Sequence, residues 1–521
     1  MKSLLAFLAF IFSLTATAQV PEPHMLSLQV IGGDGADQIK SYVTKSPDGG
    51  FILVIGTTSF TGPIVDTFCP PPPSPRGVFV KYNSDGAKEW FKCRQSAWSD
   101  TAYTFMFQTL DEKFVLGGMA NNGSKWVVRK EDGAGNGIWT KAYGGSGSQM
   151  LYSMIQTDDG GFIMFGSAYG GDGDIGFHYG SAGTRDFWVL KVDTNGDKVW
   201  SRVYGGTGED LGGAVAMASD GGCYIVGSTN STDNECTGNH GATDAFVARL
   251  NDSGILVWSK MLGGSGFDGG VENEGCNAVA DGKGGLLIAS ASGSSDGDVS
   301  HQINDPGSNI WVIQLDSTGG IMWDNCYGGG GTEYPNAVCY ATDRSIWIMG
   351  CSQVAGGQVN VAYGSRDAYV VHMDSVGNFL NAKVIGSTAQ DVGYIIHPLR
   401  NGLVFGGGYY MNGNGTFPNI HNGFSDAFVA KFTNWTNEIQ VFSTEVQFSV
   451  WPNPSRDAVI IEKYNDIPST IVVSNTLGRT IYNSTINSKI WIPVHEWAAG
   501  MYYVHLINDR GYREVQKLIV K

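Results

Sequence analysis

The chain is 521 residues long, 42% apolar and 12% aromatic, with 74 glycines and only 16% charged residues. It can therefore bury a large core, and its glycine content, about twice the ordinary share, points to many tight turns and few surface helices. With 33 basic against 49 acidic side chains the net charge is −16, which argues against nucleic acid and anionic membrane surfaces as partners and leaves calcium, cationic partners and neutral glycans open.

The first element is an address. Lys2 supplies a positive start, Leu4 to Leu14 an apolar run too short to span a bilayer, and Ala16-Thr17-Ala18 a small-residue cleavage pattern. Residues 1–18 read as a signal peptide cut between Ala18 and Gln19. No later stretch holds 18 uninterrupted apolar residues, so no transmembrane segment is expected in the mature chain. Residues 26–33, "LSLQVIGG", follow as a lone strand ending in Gly-Gly.

From there one phrase recurs. Asp48-Gly49-Gly50-Phe51, Asp159-Gly160-Gly161-Phe162 and Asp220-Gly221-Gly222-Cys223 open successive units, with weaker copies ending at Phe114, Leu286, Ile346 and Leu403. Each opening runs into an apolar strand, a loop, and a second strand such as "DFWVLKV" (186–192) or "DAFVARL" (244–250). A turn of the form Asp-x-x-Gly follows, as in Asp193 to Gly196, Asp316 to Gly319 and Asp374 to Gly377. Its Asp bonds the backbone ahead and its Gly accepts a left-handed conformation, which is hairpin chemistry. A strand marked by Trp90, Trp139, Trp200, Trp258 or Trp323 comes next, and then Gly-Gly. Four short strands repeated seven times predict an all-β chain, a seven-bladed β-propeller over 19–433. Strand 26–33 is expected to close the ring, because the seventh unit passes from "DAFVAKF" (426–432) into "TNWTNEIQ" without a tryptophan strand of its own. The Gly-Gly runs are not phosphate cradles, since no helix follows them.

Several residues invite a functional reading. Four positions beyond each Gly-Gly equivalent stand Asp37, Asp100, Gln149, Asp210, Asp268, Glu333 and Asp391, which a propeller would place at the mouth of the central channel. They are either a cation site on the axis or, as repeated residues usually are, acceptors for backbone N–H groups at their own blade junctions. Asp172 with Asp174, and Asp296 with Asp298, put paired carboxylates in loops between second and third strands. Calcium or ordinary Asx turns explain them, and the full EF-hand loop is absent. Unit one carries Pro70, Pro71 and Pro72 in a stiff 66–75 loop beside the short 119–125 loop of unit two. The resulting notch, with Trp98, Tyr103 and Trp126 nearby, is a candidate edge for stacking a sugar or proline-rich partner, although Trp126 also matches the core positions of Trp188 and Trp311. Of 8 cysteines, Cys69 with Cys93 and Cys236 with Cys276 are candidate disulfides in an exported chain. No HExxH, no GxSxG strand-to-helix elbow and no Cys/His nucleophile pattern is read from the sequence.

After a linker over 434–445 the repeat stops, and 446–521 alternates strands at the spacing of a small Ig-like β-sandwich. The repeats resemble those of secreted bacterial seven-bladed propellers, where units of the form "DGGF…G…DxWVxKLDxxGxxxW" recur. The last 76 residues resemble the C-terminal sorting domain of the type IX secretion system through Pro452-Asn453-Pro454, Leu477-Gly478-Arg479, Ala499-Gly500-Met501-Tyr502-Tyr503 and the terminal Lys517 to Lys521. That resemblance implies the type IX machinery as a partner, passage across the outer membrane, and a product at the cell surface or in the medium. A monomeric, noncatalytic module binding a glycan, peptide or protein is the expected function, and a secreted hydrolase or lyase working at the channel mouth is the alternative.

Overall fold

The computed structural model describes residues 24–521 apart from 32–34, 40–43, 47, 59–75, 95–100, 121–123, 182, 271–275, 302–306, 401–403, 412–415, 417–424, 434–447, 452, 464–468, 476–478 and 509–512. The signal peptide and the linker over 434–445 lie outside these residues. The chain is all-β, with seven antiparallel sheets of four principal strands followed by a separate pair of sheets.

Blade four shows how the repeat becomes structure. Strands Asp210–Met217, Cys223–Thr229, Asp244–Leu250 and Leu256–Leu262 pair in sequence order. Both middle strands are buried along their whole length. A blade pressed between two neighbours hides both its faces, so these strands read as continuous apolar runs rather than alternating ones. The outer strand Leu256–Leu262 is buried only at its last two residues. The last blade is completed from the other end of the chain. His24–Ile31 pairs antiparallel with Ser425–Thr433, Ile31 opposite Ala427, beside Val404–Met411 and Asp391–Pro398.

Two repeated devices join blades. The indole N–H of Trp139 donates to the carbonyl of Thr194 (3.2 Å), that of Trp200 to Asp252 (3.0 Å) and that of Trp258 to Ser317 (3.2 Å). Each acceptor belongs to the Asp-x-x-Gly or Asn-x-x-Gly turn of the next blade. The turn glycine must be small as well as left-handed: at Gly254, φ is +72° and a Cβ would come within 2.8 Å of the Trp200 ring. Within a blade, the Asp of the Asp-Gly-Gly phrase binds a buried base on the third strand, as in Asp48 with Lys81 (2.7 Å), Asp111 with Lys130 (3.1 Å), Asp159 with Lys191 (3.0 Å), and Asp220 with Arg249. Burying such a base is tolerable because it is paired.

The apolar cores lie between blades. One cluster joins Val115, Trp126 and Val128 of blade two to Met164, Trp188 and Leu190 of blade three, and Trp126 stacks on Trp188 with centroids 3.9 Å apart.

The C-terminal unit packs a three-stranded sheet, with order Phe448–Trp451, Ala458–Lys463, Lys489–Pro493, on a four-stranded one, with order Thr480–Ile486, Ser469–Asn475, Gly500–Asn508, Arg513–Val520. Val459, Ile461 and Ile492 of the first sheet meet Ile471, Val504 and Leu518 of the second in one core. Asn453 pins the final strand: its Oδ1 accepts from the Ile519 amide (2.9 Å) and its Nδ2 donates to the Lys517 carbonyl (2.5 Å).

Candidate functional site: blade junctions and the axial cavity

The recurrent acids are clasps. Asp37, Asp210, Asp268, Glu333, Asp391 and Gln149 are all fully buried, and Asp100 lies outside the described residues. Four residues past the second glycine, as Asp210 stands past Gly206, each side chain can turn back onto the bend that precedes it. Asp210 accepts from the Gly206 amide (2.9 Å) and from the hydroxyls of Thr229 and Ser231. Asp268 accepts from the Gly264 amide (2.7 Å), Ser292 and Ser294. Glu333 takes the Gly329 amide (3.1 Å) and Ser352 (2.8 Å), and Asp391 the Ser387 amide and hydroxyl. Gln149 answers differently, donating to the Gly147 carbonyl (2.7 Å). These side chains close the bend between an outer strand and the next inner strand.

A second set of buried acids was not singled out from the sequence. Asp186, Asp244 and Asp367 open third strands, Asp426 is the second residue of its own, and all four are at most 1% exposed. The amide of Asp210 donates to the Arg185 carbonyl (2.9 Å), that of Asp268 to Thr243 (2.7 Å) and that of Asp391 to Arg366 (2.7 Å). In these three places an inner-strand acid therefore sits against a third-strand acid of the preceding blade, whereas the amide of Glu333 donates to the Ser308 carbonyl (2.7 Å), next to Asn309. Burial pushes Asp186 up to about 8, with the Asp210, Glu235 and Glu209 carboxylates adding to it and the Tyr179 amide opposing. Burial likewise pushes Asp210 and Asp391 up to about 7. The signal lay in the repeated Asp of "DAFVARL", which period and apolarity alone present as a mere strand start.

The loop carboxylates clamp the same bends. Asp172 accepts from the Ser146 amide (2.8 Å), and Asp174 takes the Gly144 amide (3.1 Å) and Lys198 (2.8 Å). Asp296 takes the Ser265 amide (2.7 Å) and Asp298 the Gly263 amide (3.3 Å). The backbone N–H of Ser146 and of Ser265 holds Asp172 and Asp296 below the usual carboxylate range. One oxygen of each of these carboxylates is thus taken by a backbone N–H, and among the described residues no group of three or more His, Cys, Asp or Glu could hold a metal ion.

The expected notch divides. Trp98 and Pro70, Pro71 and Pro72 lie outside the described residues, and Tyr103 lies in strand Thr101–Gln108. Trp126 is corrected: it is fully buried against Trp188, so its faces pack the core and meet no ligand. A second correction concerns cysteines. Cys236 and Cys276 are free and buried, the first beside Asp210 and Thr229 at a junction, the second facing the Gly227 carbonyl from an inner strand. Cys69 lies outside the described residues, and Cys93 is in strand Lys88–Arg94. Of the sorting-motif positions, Asn453 and Pro454 precede the strand Ala458–Lys463 and Gly500 starts Gly500–Asn508. Pro452 and Gly478, like Ala18 and Gln19, lie outside the described residues.

Where the inner strands surround the axis, a cavity of about 550 Å³ opens. Met154, Val215, Met217, Val279, Val338 and Ile396 give it apolar walls, with Gln108, Ser153, Gln156, Asn277 and Tyr394 as its polar points. A smaller cavity of about 370 Å³ lies between blades two and three, bounded by Asp111, Lys113, Trp139 and Asn195.

Residues 449–521 match the family described as the secretion system C-terminal sorting domain. No curated protein matches the chain. Among solved structures it is similar to the extracellular domain of a putative hybrid two-component system from B. thetaiotaomicron, at 11% identity and TM-score 0.38, covering 93% of this chain and 55% of that one. It is also similar to the hydrazine synthase of Kuenenia stuttgartiensis (13%, TM-score 0.40, 71% and 93% covered) and to a polysaccharide lyase (10%, TM-score 0.40, 77% and 90% covered). The chain thus spans about half the length of the first of these. Its C-terminal unit is a type IX sorting tail, and the protein is secreted by that route to the cell surface or the extracellular space. Among the described residues no helix is long and apolar enough to cross a membrane.

Proposed function

We propose that the propeller is a noncatalytic binding module that engages a glycan, peptide or protein once export has delivered it outside the cell. The axial cavity supports this reading most directly. Its volume of about 550 Å³ falls in the range of ligand pockets, roughly 300–1,000 Å³, and such pockets pair apolar walls with a few polar points. The recurrent carboxylates accept from backbone N–H groups and hydroxyls at the junctions, which supports an architectural role for them over a catalytic one.

The test is a glycan and peptide array probed with the mature chain and with Ala280→Trp, which sets an indole at the cavity wall. Binding by the parent chain, lost in a variant of unchanged melting temperature, is the expected result. Turnover of any polysaccharide or peptide in the same screen would favour a hydrolase or lyase, and a ligand bound equally by both proteins would move the site away from the axis.

A further inference from the structure

Of the 14 tryptophans, Trp98 and Trp435 lie outside the described residues. Among the others only Trp451 and Trp491 are exposed, at 45% and 62%. Propeller tryptophans such as Trp126, Trp188 and Trp311 are fully buried, so exposure is not a general habit of this chain.

The two exposed rings share one row. Trp451 pairs with Ile460, and Ile460 with Trp491, across the three-stranded sheet of the C-terminal unit. Paired residues lie on the same face, and strands stand about 4.8 Å apart, so the indoles flank Ile460 over roughly 10 Å. The opposite face of these strands already supplies the core through Val450, Val459, Ile461 and Ile492. Folding therefore does not explain the row, and two exposed indoles carry a solvation cost that docking would recover. Beside it runs a polar border, Glu462 opposite Lys489, their charges 3.6 Å apart.

We infer that the Trp451–Ile460–Trp491 face is the surface by which the sorting domain docks onto a protein of the type IX export machinery that presents an apolar pocket. The face belongs to the 449–521 unit that matches sorting domains, and aromatic anchors inside a polar rim are what concentrate binding energy in a small protein contact. A second copy of the chain fits poorly, because a stable dimer buries roughly 1,200–2,000 Å² and three side chains supply only a fraction of that. The Lys489 ammonium lies 5.3 Å from the Trp451 ring centroid, a cation–π contact at the polar border of the face, and a glycan stacked on the rings is the other outcome of the test.

The experiment uses the full chain in a bacterium with a working type IX system, scoring the fraction that reaches the surface and medium against the fraction held inside. The variants are Trp451→Ser with Trp491→Ser, Trp491→Ser alone, and a control pair, Ile481→Ser with Met501→Ser, whose parent residues are 38% and 36% exposed on the other sheet. Thermal melting of the retained protein monitors folding. The tryptophan pair should cut export by about tenfold or more while the control pair exports normally. Trp491→Phe should restore most export relative to Trp491→Ser. Normal export of the folded double variant, or equal loss in the control, overturns the inference. If the double variant fails to fold, Trp491→Ser decides: reduced export supports the docking face and normal export overturns it. Polysaccharide capture that depends on both tryptophans, with export intact, would also overturn it and make the face a glycan platform.

Discussion

Asp186 and Asp210 meet at the junction of blades three and four, held there by the hydrogen bond from the Asp210 amide to the Arg185 carbonyl. Asp210 is supplied with donors, whereas the Oδ1 of Asp186 has no hydrogen-bond partner. His178 (3.7 Å from Asp186), Tyr179, Cys236 beside Asp210 and the Arg185–Glu209 pair are charged or titratable groups at hand, with Glu235 bonded to the Tyr179 hydroxyl. The native state therefore keeps protons that the unfolded chain releases near 3.8: Asp186 rises to about 8, and Asp210 and Asp391 to about 7. A raised carboxyl pKa contributes stability that is full below the unfolded value and lost as pH climbs through the folded one. The melting temperature should thus fall by several degrees between pH 5 and pH 8. Asp186→Asn, which has no proton to lose, should flatten that slope; a slope unchanged in the variant would count against this origin. Sequence periodicity showed that one residue per unit is acidic near the bend. It could not show that a second repeated acid, 24 residues earlier in the Asp186 and Asp244 copies, folds against it, because that contact crosses a blade boundary.

Strand His24–Ile31 does for the ring what no neighbouring segment in sequence can. It pairs along its length with Ser425–Thr433, while Met25, Leu28 and Val30 pack against the core holding Phe428, Ala430 and Phe432. Removing 24–31 leaves a long third strand as an open, largely buried-type edge, a template for pairing with other chains. The truncated protein should melt at lower temperature and elute as aggregates in size-exclusion chromatography; a stable monomer would mean that another segment caps the blade. The Asp-x-x-Gly turn was legible as a hairpin from its residues alone. That its glycine also receives the indole of the preceding blade, as Gly254 receives Trp200, was not, because nothing local distinguishes a glycine chosen for φ from one chosen for room.

At the scale of the molecule the propeller and the sorting tail are separate in their cores. The cluster of Phe448, Val459, Ile471, Val504 and Leu518 draws only on the C-terminal unit, and the clusters of the blades draw only on residues before 434. Deleting 446–521 should therefore leave a propeller with an unchanged melting transition, retained inside the outer membrane. Protease accessibility on intact cells checks it, and appearance of the truncated chain at the surface would show that export signals lie elsewhere.

Repetition carried most of the architecture in plain view. Seven copies of a strand pattern with turn residues at fixed offsets specify blades and their number, because each copy states the same local preferences again and errors in one are corrected by the rest. The export tail was equally readable, since Pro452, Asn453 and Pro454 form a compact local phrase, and the structure adds that Asn453 clasps the final strand. Everything that depends on which copies touch was decided by the assembled fold. That Asp172 reaches the Ser146 amide, that Trp126 stacks on Trp188 and that Cys236 and Cys276 stay free depend on contacts between residues 26 to 62 positions apart. Side-chain type and spacing constrain a strand and its turns. Pairing across blades depends on ring closure and depth of burial, which no single unit contains.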